Sequence, residues 1–307
     1  MQGPYECLTY NVQAWRYRPH ETEDEFKERS NQIIELVARF MAAHESCIVF
    51  LQEVEEMLAE DLKRHMTDKH KFRVVAHFQG QGKNMWPLSQ YTPPKEFVDK
   101  YHRHEDDLEE RVPVGTMVLV RCIGNPRVER RKLHLNLNKN NEPDMNGNIA
   151  SYVRLDWGTE PDNNRSLSII SFHTHSTEQE IRDKEMLMLN RQLVQPIPAI
   201  VGGDTNTLKL LEGEPMDHRT PSYPAFKSSP CTSLDTIHSI RGQLDSLRVA
   251  SAYSKNLATM SDHLPVHCTW YPRGQVECTN PANADGTQLL LSQVTTATPL
   301  TSKCTVL

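Results

Sequence analysis

The sequence predicts an α/β fold, on three observations. Residues 23–42 repeat apolar side chains at helical spacing, Cys47–Leu51 is an unbroken apolar run of strand length, and polar residues follow apolar runs at several predicted strand ends. An amphipathic helix buries one stripe, whereas a strand that is apolar at every position is covered on both faces. Elements of both kinds in alternation build layers around a sheet. The 307 residues fit one large α/β domain or two smaller ones, and 37% hydrophobic residues are enough for a substantial core.

Taken in order, Tyr5–Val12 reads as the first strand, with Leu8, Tyr10 and Val12 alternating and Asn11 at its end. Thr22-Glu-Asp-Glu25 is a capping box opening helix 23–42, whose stripe is Phe26, Ile33, Val37 and Phe40, widened by Ile34 and Met41. Cys47–Leu51 delivers Gln52 and Glu53 at its end. Glu55–Met66 reads as a helix and Phe72–Phe78 as a strand. Residues 79–112 hold Gly80, Gly82, Pro87, Pro93 and Pro94 and a charged run from Lys100 to Arg111, and read as a long surface insertion. Strands follow at Gly115–Arg121 and Arg127–Leu137, then an Asn-rich loop over Asn138–Asn148. Tyr152–Trp157 and Leu167–His175 pair as a hairpin, the second delivering His173 and His175.

Thr177-Glu-Gln-Glu180 caps a helix running to about Leu193, with Ile181, Met188, Leu189 and Leu193 towards the core and Met186 there too. Pro196 and Pro198 stop it. Ile200 and Val201 end a buried strand, and Gly202-Gly203 are expected to turn the backbone. Asp204 and Asn206 then sit two residues apart, on one side of an extended segment or in an Asx turn. Residues 211–230 read as a loop, and Leu244–Val249 and Pro265–Trp270 as the last strands, joined through Ser261-Asp262-His263. From 273 the composition turns to Thr, Ser, Asn and Ala, an unfolded tail.

A net charge of −6 gives no global attraction to nucleic acid. Seven cysteines, with no C-x-x-C pair and no regular spacing, suit reduced thiols in the cytoplasm. No apolar run has the length of a membrane span, and residues 1–19 lack the apolar core of a signal peptide.

Asn11, Glu53, His175, Asp204, Asn206, Asp245, Asp262 and His263 all lie at predicted strand ends, and most are metal-ligand, base or phosphate-contact residue types. Their segments, Leu8-Thr-Tyr-Asn-Val12, Phe50-Leu-Gln-Glu-Val54, His173-Thr-His-Ser176, Val201-Gly-Gly-Asp-Thr-Asn206, Gln243-Leu-Asp-Ser-Leu247 and Ser261-Asp-His-Leu-Pro-Val266, resemble the motifs of the endonuclease/exonuclease/phosphatase superfamily in order and rough spacing. The resemblance covers about residues 5–271, with G-D-x-N and S-D-H-x-P-V its strongest parts. It implies a four-layered α/β sandwich of two packed mixed sheets flanked by helices, over residues 1–272, and a Mg²⁺- or Mn²⁺-dependent phosphoesterase.

The chemistry follows from charge. Cleaving a phosphate ester with water means offsetting charge on the phosphoryl oxygens and activating a poor nucleophile, which a hard cation with oxygen ligands can do. By residue type Glu53 is the best ligand, with Asn11 beside it and Asp262 assisting. By resemblance, Asp204 positions and deprotonates the water, Asn206 fixes it or the phosphate, and His175 contacts the scissile phosphate. His263 stabilises developing charge and Asp245 orients that imidazole. Two rivals stand: His173 shares a strand face with His175, and Asp235 repeats the Leu-Asp-x-apolar pattern of Asp245, which is preferred for its spacing to His263. No Pro-Ala-Trp-Cys-Asp-Arg type motif of inositol polyphosphate 5-phosphatases is present, while the run 202–206 and the helix after His175 are somewhat similar to tyrosyl-DNA phosphodiesterases.

The last four residues, Cys304-Thr-Val-Leu307, form a C-a-a-X pattern with Leu at its end, which favours geranylgeranylation of Cys304 on a flexible 273–307 leader. That expectation places the enzyme at the cytoplasmic face of a membrane through a prenyl tail. It tips the substrate towards a phosphorylated lipid headgroup, phosphoinositide or sphingomyelin in type. A nuclease or tyrosyl-DNA-type phosphodiesterase is the alternative, with Trp86, Tyr91, Lys95, Lys100 and Tyr101 as a broken basic and aromatic surface. An inactive membrane-bound scaffold is the third reading, which the intact set of candidate residues opposes.

Overall fold

The computed structural model describes residues 4–13, 23–80, 114–136, 148–158, 165–175, 178–193, 197–207, 211, 220–223, 232–254 and 257–272. Most of the 79–112 insertion, both capping threonines, most of the Asn-rich loop, and the tail with Cys304 lie outside them.

Twelve described strands make two sheets. The first orders β10 (Gly242–Leu244), β12 (Val266–Pro272), β1 (Tyr5–Asn11), β2 (Cys47–Glu55), β4 (Val114–Arg121) and β3 (Val74–Gly80), with β11 (Arg248–Val249) also on β12. The second orders β5 (Arg127–His134), β6 (Ile149–Asp156), β7 (Ser166–His173), β8 (Ala199–Asp204) and β9 (Asp235–Ile240). Both are mixed: β1 is parallel to β2 and β7 to β8, and the other pairs are antiparallel.

Alternation along the strands explains the layers. In β1, Tyr5 and Cys7 enter a core with Ile169, Ile200 and Ile237 of the other sheet, while Leu8 and Tyr10 turn to α1 (Glu23–Ala43). In β2, Ile48 and Phe50 face the second sheet and Cys47, Val49 and Leu51 face α1 and α2 (Glu56–Arg64). In β7 and β8, Ile169 and Ile200 face inward, while Ile170, Phe172 and Val201 pack on Met186 and Leu189 of α3 (Gln179–Leu193). Helix, sheet, sheet and helix therefore stack, the two-sheet α/β sandwich the sequence implied. No described helix is long and apolar enough to cross a membrane.

Four elements depart from the sequence expectation. The helix after β2 ends in a π-helical turn, His65–Lys69. Met188 is only half-buried on α3, and the buried positions there are Arg182, Glu185, Met186 and Leu189. Asp235–Ile240 forms β9, a strand too short and polar to stand out, and Leu244–Val249 divides between β10 and β11. Finally, Gly202 and Gly203 lie inside β8 rather than in a turn. They are small because neighbours approach closely: a Cβ on Gly202 would come 2.4 Å from the Phe50 ring, and one on Gly203 would come 2.1 Å from the Phe172 carbonyl oxygen. A ring can shift but a strand backbone cannot without breaking the sheet. Gly203→Ala should therefore lower stability by about 3 kcal/mol or more and Gly202→Ala by less, read as shifted denaturant midpoints.

Candidate active site

Strand parity gathers the site. Asp204 shares the inward face of β8 with Ile200 and Gly202, and His173 that of β7 with Ile169 and Ser171. His173 pairs in register with Asp204, and Asp204 with Asp235 at the start of β9, so three functional groups form one row across the second sheet. From the first sheet, Asn11 ends β1 beside Gln52. Simple alternation would place Glu53 with Leu51, towards α1. A bulge between Leu51 and Val54, with Glu53 at φ +53°, redirects it to the cleft. Beneath the row, Gln52 Nε2 donates to Ser171 Oγ at 3.2 Å and Ser171 Oγ to the Leu51 carbonyl at 3.0 Å, joining the two sheets.

Asp204 is the centre, 1% exposed. Its Oδ2 accepts from Asn11 Nδ2 at 3.0 Å and lies 3.6 Å from His263 Nε2 and 3.7 Å from His173 Nε2. Its Oδ1 accepts the Asn206 N–H at 2.7 Å, an Asx turn with Asn206 at φ +47°. The turn sends the Asn206 amide back to donate to His173 Nε2 and to the Thr174 carbonyl, both at 2.9 Å. Burial alone would raise the Asp204 carboxyl, but His263, His173 and the two hydrogen bonds outweigh it and hold it below the usual range.

On the other side, Asn11 Nδ2 also donates to Glu53 Oε1 at 3.1 Å, and Gln13 Nε2 donates to Asp262 Oδ2 at 3.2 Å. Asp262 is pushed up by burial, and by Glu53 and Asp204 against the opposing pull of His263. Ser261 Oγ donates to the Asn11 carbonyl at 2.6 Å and accepts the His263 N–H at 3.2 Å, which pins the Ser261-Asp262-His263 turn against β1.

Two expectations are corrected by position. The carboxylate at His263 is Asp235, whose Oδ2 accepts from Nδ1 at 2.8 Å and from Ser222 Oγ at 2.5 Å. Burial would discharge this imidazole, but Asp235, Asp204 and Asp262 together raise it to about 10, so it is an imidazolium. Asp245 instead accepts the Thr269 N–H at 2.6 Å and pairs with Arg248 at 3.2 Å on the β10–β12 edge. Similarly, the histidine in the cleft is His173. His175 lies beyond the strand, where its Nδ1 accepts the Glu178 N–H at 3.1 Å at the entry to α3. The structure brings together Asn11, Glu53, Asp204, Asn206, Asp262 and His263, and leaves His175 and Asp245 outside.

The sequence reading missed Tyr223. Its ring packs against His263, tilted by 43° with centroids 4.8 Å apart, and a backbone bridge to Thr232 fixes it there. Its segment, Pro221-Ser-Tyr-Pro224, reads as an ordinary loop; the one available signal is an aromatic residue within it.

Two donor sets could hold a cation. Asp204, Asp235 and His263 bring one ligand atom each within 4.8 Å of one another. An imidazolium has no free lone pair, so with His263 charged the set works as a cation held between two carboxylates, hydrogen-bonded to Asp235 and 3.6 Å from Asp204. Asn11, Glu53 and Asp262 offer oxygen donors beside Asp204, and that chemistry fits a hard divalent ion.

No protein-family model matches the chain, and no curated protein matches it. Solved structures do. An endonuclease/exonuclease/phosphatase from Bacteroides vulgatus is 16% identical with a TM-score of 0.60, over 88% of this chain and 100% of that one. A mannosyl-6-phosphatase from Bacteroides thetaiotaomicron is 13% identical with a TM-score of 0.54, over 87% and 99%. D. rerio TDP2, complexed with a single-strand DNA product, is 14% identical with a TM-score of 0.53, over 88% and 99%. At these identities the likeness is one of fold.

Proposed function

Since the chain carries the endonuclease/exonuclease/phosphatase fold, we propose that it is a hydrolase of phosphate esters, acting in the cleft around Asp204 with a divalent cation, Mg²⁺ or Mn²⁺. The observation that carries this reading is the convergence on Asp204 of Asn11, His173 and His263, drawn from both sheets. Glu53, Asn11 and Asp262 would hold the cation, which supplies acidity to a bound water and neutralises phosphoryl charge.

The chain's own groups do the rest. Asp204 stays ionised and takes a hydrogen bond from the attacking water, and its lowered pKa makes it a weak base that orients that water. Asn206 fixes His173 beside it. His263, charged and pointing Nε2 towards Asp204, faces the place where charge grows on the phosphoryl oxygens, and Asp235 holds its ring. Tyr223 packs against that ring.

The substrate we favour is a phosphorylated membrane-lipid headgroup, and prenylation of Cys304 would bring the enzyme to the cytoplasmic face where such lipids lie. A nucleic-acid diester is the second reading, favoured by the likeness to TDP2 solved with a DNA product. Purified protein with Mg²⁺ should be screened against phosphoinositides, sphingomyelin, sugar phosphates and oligonucleotides. Turnover should vanish with excess EDTA and return with Mg²⁺ or Mn²⁺; turnover indifferent to EDTA would overturn the cation, and no turnover on any class would overturn the hydrolase. Oligonucleotide cleavage without lipid turnover would replace the first substrate by the second.

A further inference from the structure

Helix α3 turns two buried charges, Arg182 and Glu185, towards the second sheet beside Met186 and Leu189. A leucine would complete that apolar face, and a buried carboxylate is costly unless fully hydrogen-bonded. Glu185 is 0% exposed and serves as a hub. Its Oε2 accepts the His175 N–H at 2.6 Å, its Oε1 accepts from Asn136 Nδ2 at 2.9 Å, and the Asn148 side chain donates to it as well. Arg182 Nη1 donates to the His175 carbonyl at 3.1 Å, so one helix holds both backbone groups of His175.

The hold passes directly to the cleft. Thr174, the next residue back, donates its N–H to the Asp204 carbonyl at 3.0 Å and accepts from the Asn206 amide at 2.9 Å, the amide that also donates to His173. We propose that Glu185, with Arg182, is a positioning residue: it fixes the chain leaving β7 so that His173 and Asn206 keep their places beside Asp204. The inference rests on the hydrolase reading for its kinetic consequence, but not for its geometric one.

Three variants test it, with exposed Glu180→Gln as control. In Glu185→Gln the framework survives, because Asn136 Oδ1 is buried without a partner among the described residues and can turn to accept from the new amide. Glu185→Leu removes it. Since a displacement of about 1 Å can cost about a hundredfold in rate, Glu185→Leu should lower kcat about 30- to 100-fold with KM within about twofold, while Glu185→Gln stays within about threefold. A crystal structure of Glu185→Leu should show the Asn206–His173 contact lengthened from 2.9 Å. Unchanged kcat together with an unmoved His173 would overturn the inference. If Glu185→Leu does not fold, Arg182→Met carries the same two measurements. If the wild-type protein hydrolyses nothing, the hydrolase reading falls, and the crystal structure of whichever variant folds still decides the positioning role.

Discussion

Asp204→Asn should lower kcat by about a thousandfold or more while the protein stays folded. The size follows from how much meets at one carboxylate. Asp204 Oδ2 accepts from Asn11 and faces His263 and His173, and Oδ1 closes the Asx turn that presents Asn206. Asparagine keeps the shape and one acceptor oxygen, so the turn at Asn206 can persist. The amide's NH₂ must then face the Asn11 NH₂ or the two imidazoles, and the charge opposite His263 is gone. The water loses its acceptor and the imidazolium loses a partner. Folding responds differently. Asp204 has a depressed carboxyl, so its stabilising contribution is present above the unfolded value near 3.8 and is lost as pH falls through the lower folded value. At neutral pH the variant should melt earlier than wild type, and the two should converge under strong acid. Initial rates and melting curves on the same preparations give both readings. Activity within about tenfold of wild type would remove Asp204 from the chemistry.

How much of this was legible beforehand divides along a physical line. Local pattern is written in the chain: the Phe26 to Met41 stripe, the apolar run at Cys47–Leu51 and the order of polar strand ends fixed the helix, the core strand and most of the cleft. Long-range choice is not. Leu234-Asp-Thr-Ile237 and Leu244-Asp-Ser-Leu247 have the same local pattern, and only pairing with β8 brings the first to His263. The glycines at 202 and 203 suggest a turn because glycine usually marks one. The rings and backbone that demand them, Phe50 and Phe172, are distant in sequence or on a neighbouring strand. His173 could have been preferred by parity, since it shares a strand face with Ile169 and Ser171. A sequence motif gives no reading of where the strand stops, and stopping at His173 is what turns His175 away. Glu53 is the converse case: it reaches the cleft through a bulge that its motif does not announce.

The pair Asp235→Asn and Asp245→Asn puts that distinction to measurement. Asp235 is 0% exposed; one oxygen takes both the His263 ring and the Ser222 hydroxyl, and the other is buried with no hydrogen-bond partner among the described residues. Burial acts to discharge His263, and Asp235 is the strongest of the groups that overcome it. An amide in its place retains a hydrogen bond but not the charge, so His263 should revert towards or below an ordinary histidine value of about 6.5. A group with a raised folded value stabilises fully below its unfolded value and loses that contribution as pH rises towards about 10. Asp235→Asn should therefore lose about a thousandfold in kcat at neutral pH, recover part of it as pH falls, and be less stable than wild type most clearly in acid. Asp245, on the β10–β12 edge with Arg248, forms a solvent-screened pair of the kind worth at most about 1 kcal/mol, and asparagine can still accept the Thr269 N–H. Its substitution should leave kcat within about twofold. The reverse result, activity lost with Asp245 and kept without Asp235, would mean that the His263–Asp235 contact does not serve catalysis, and the role given to His263 as a fixed positive charge would fall with it.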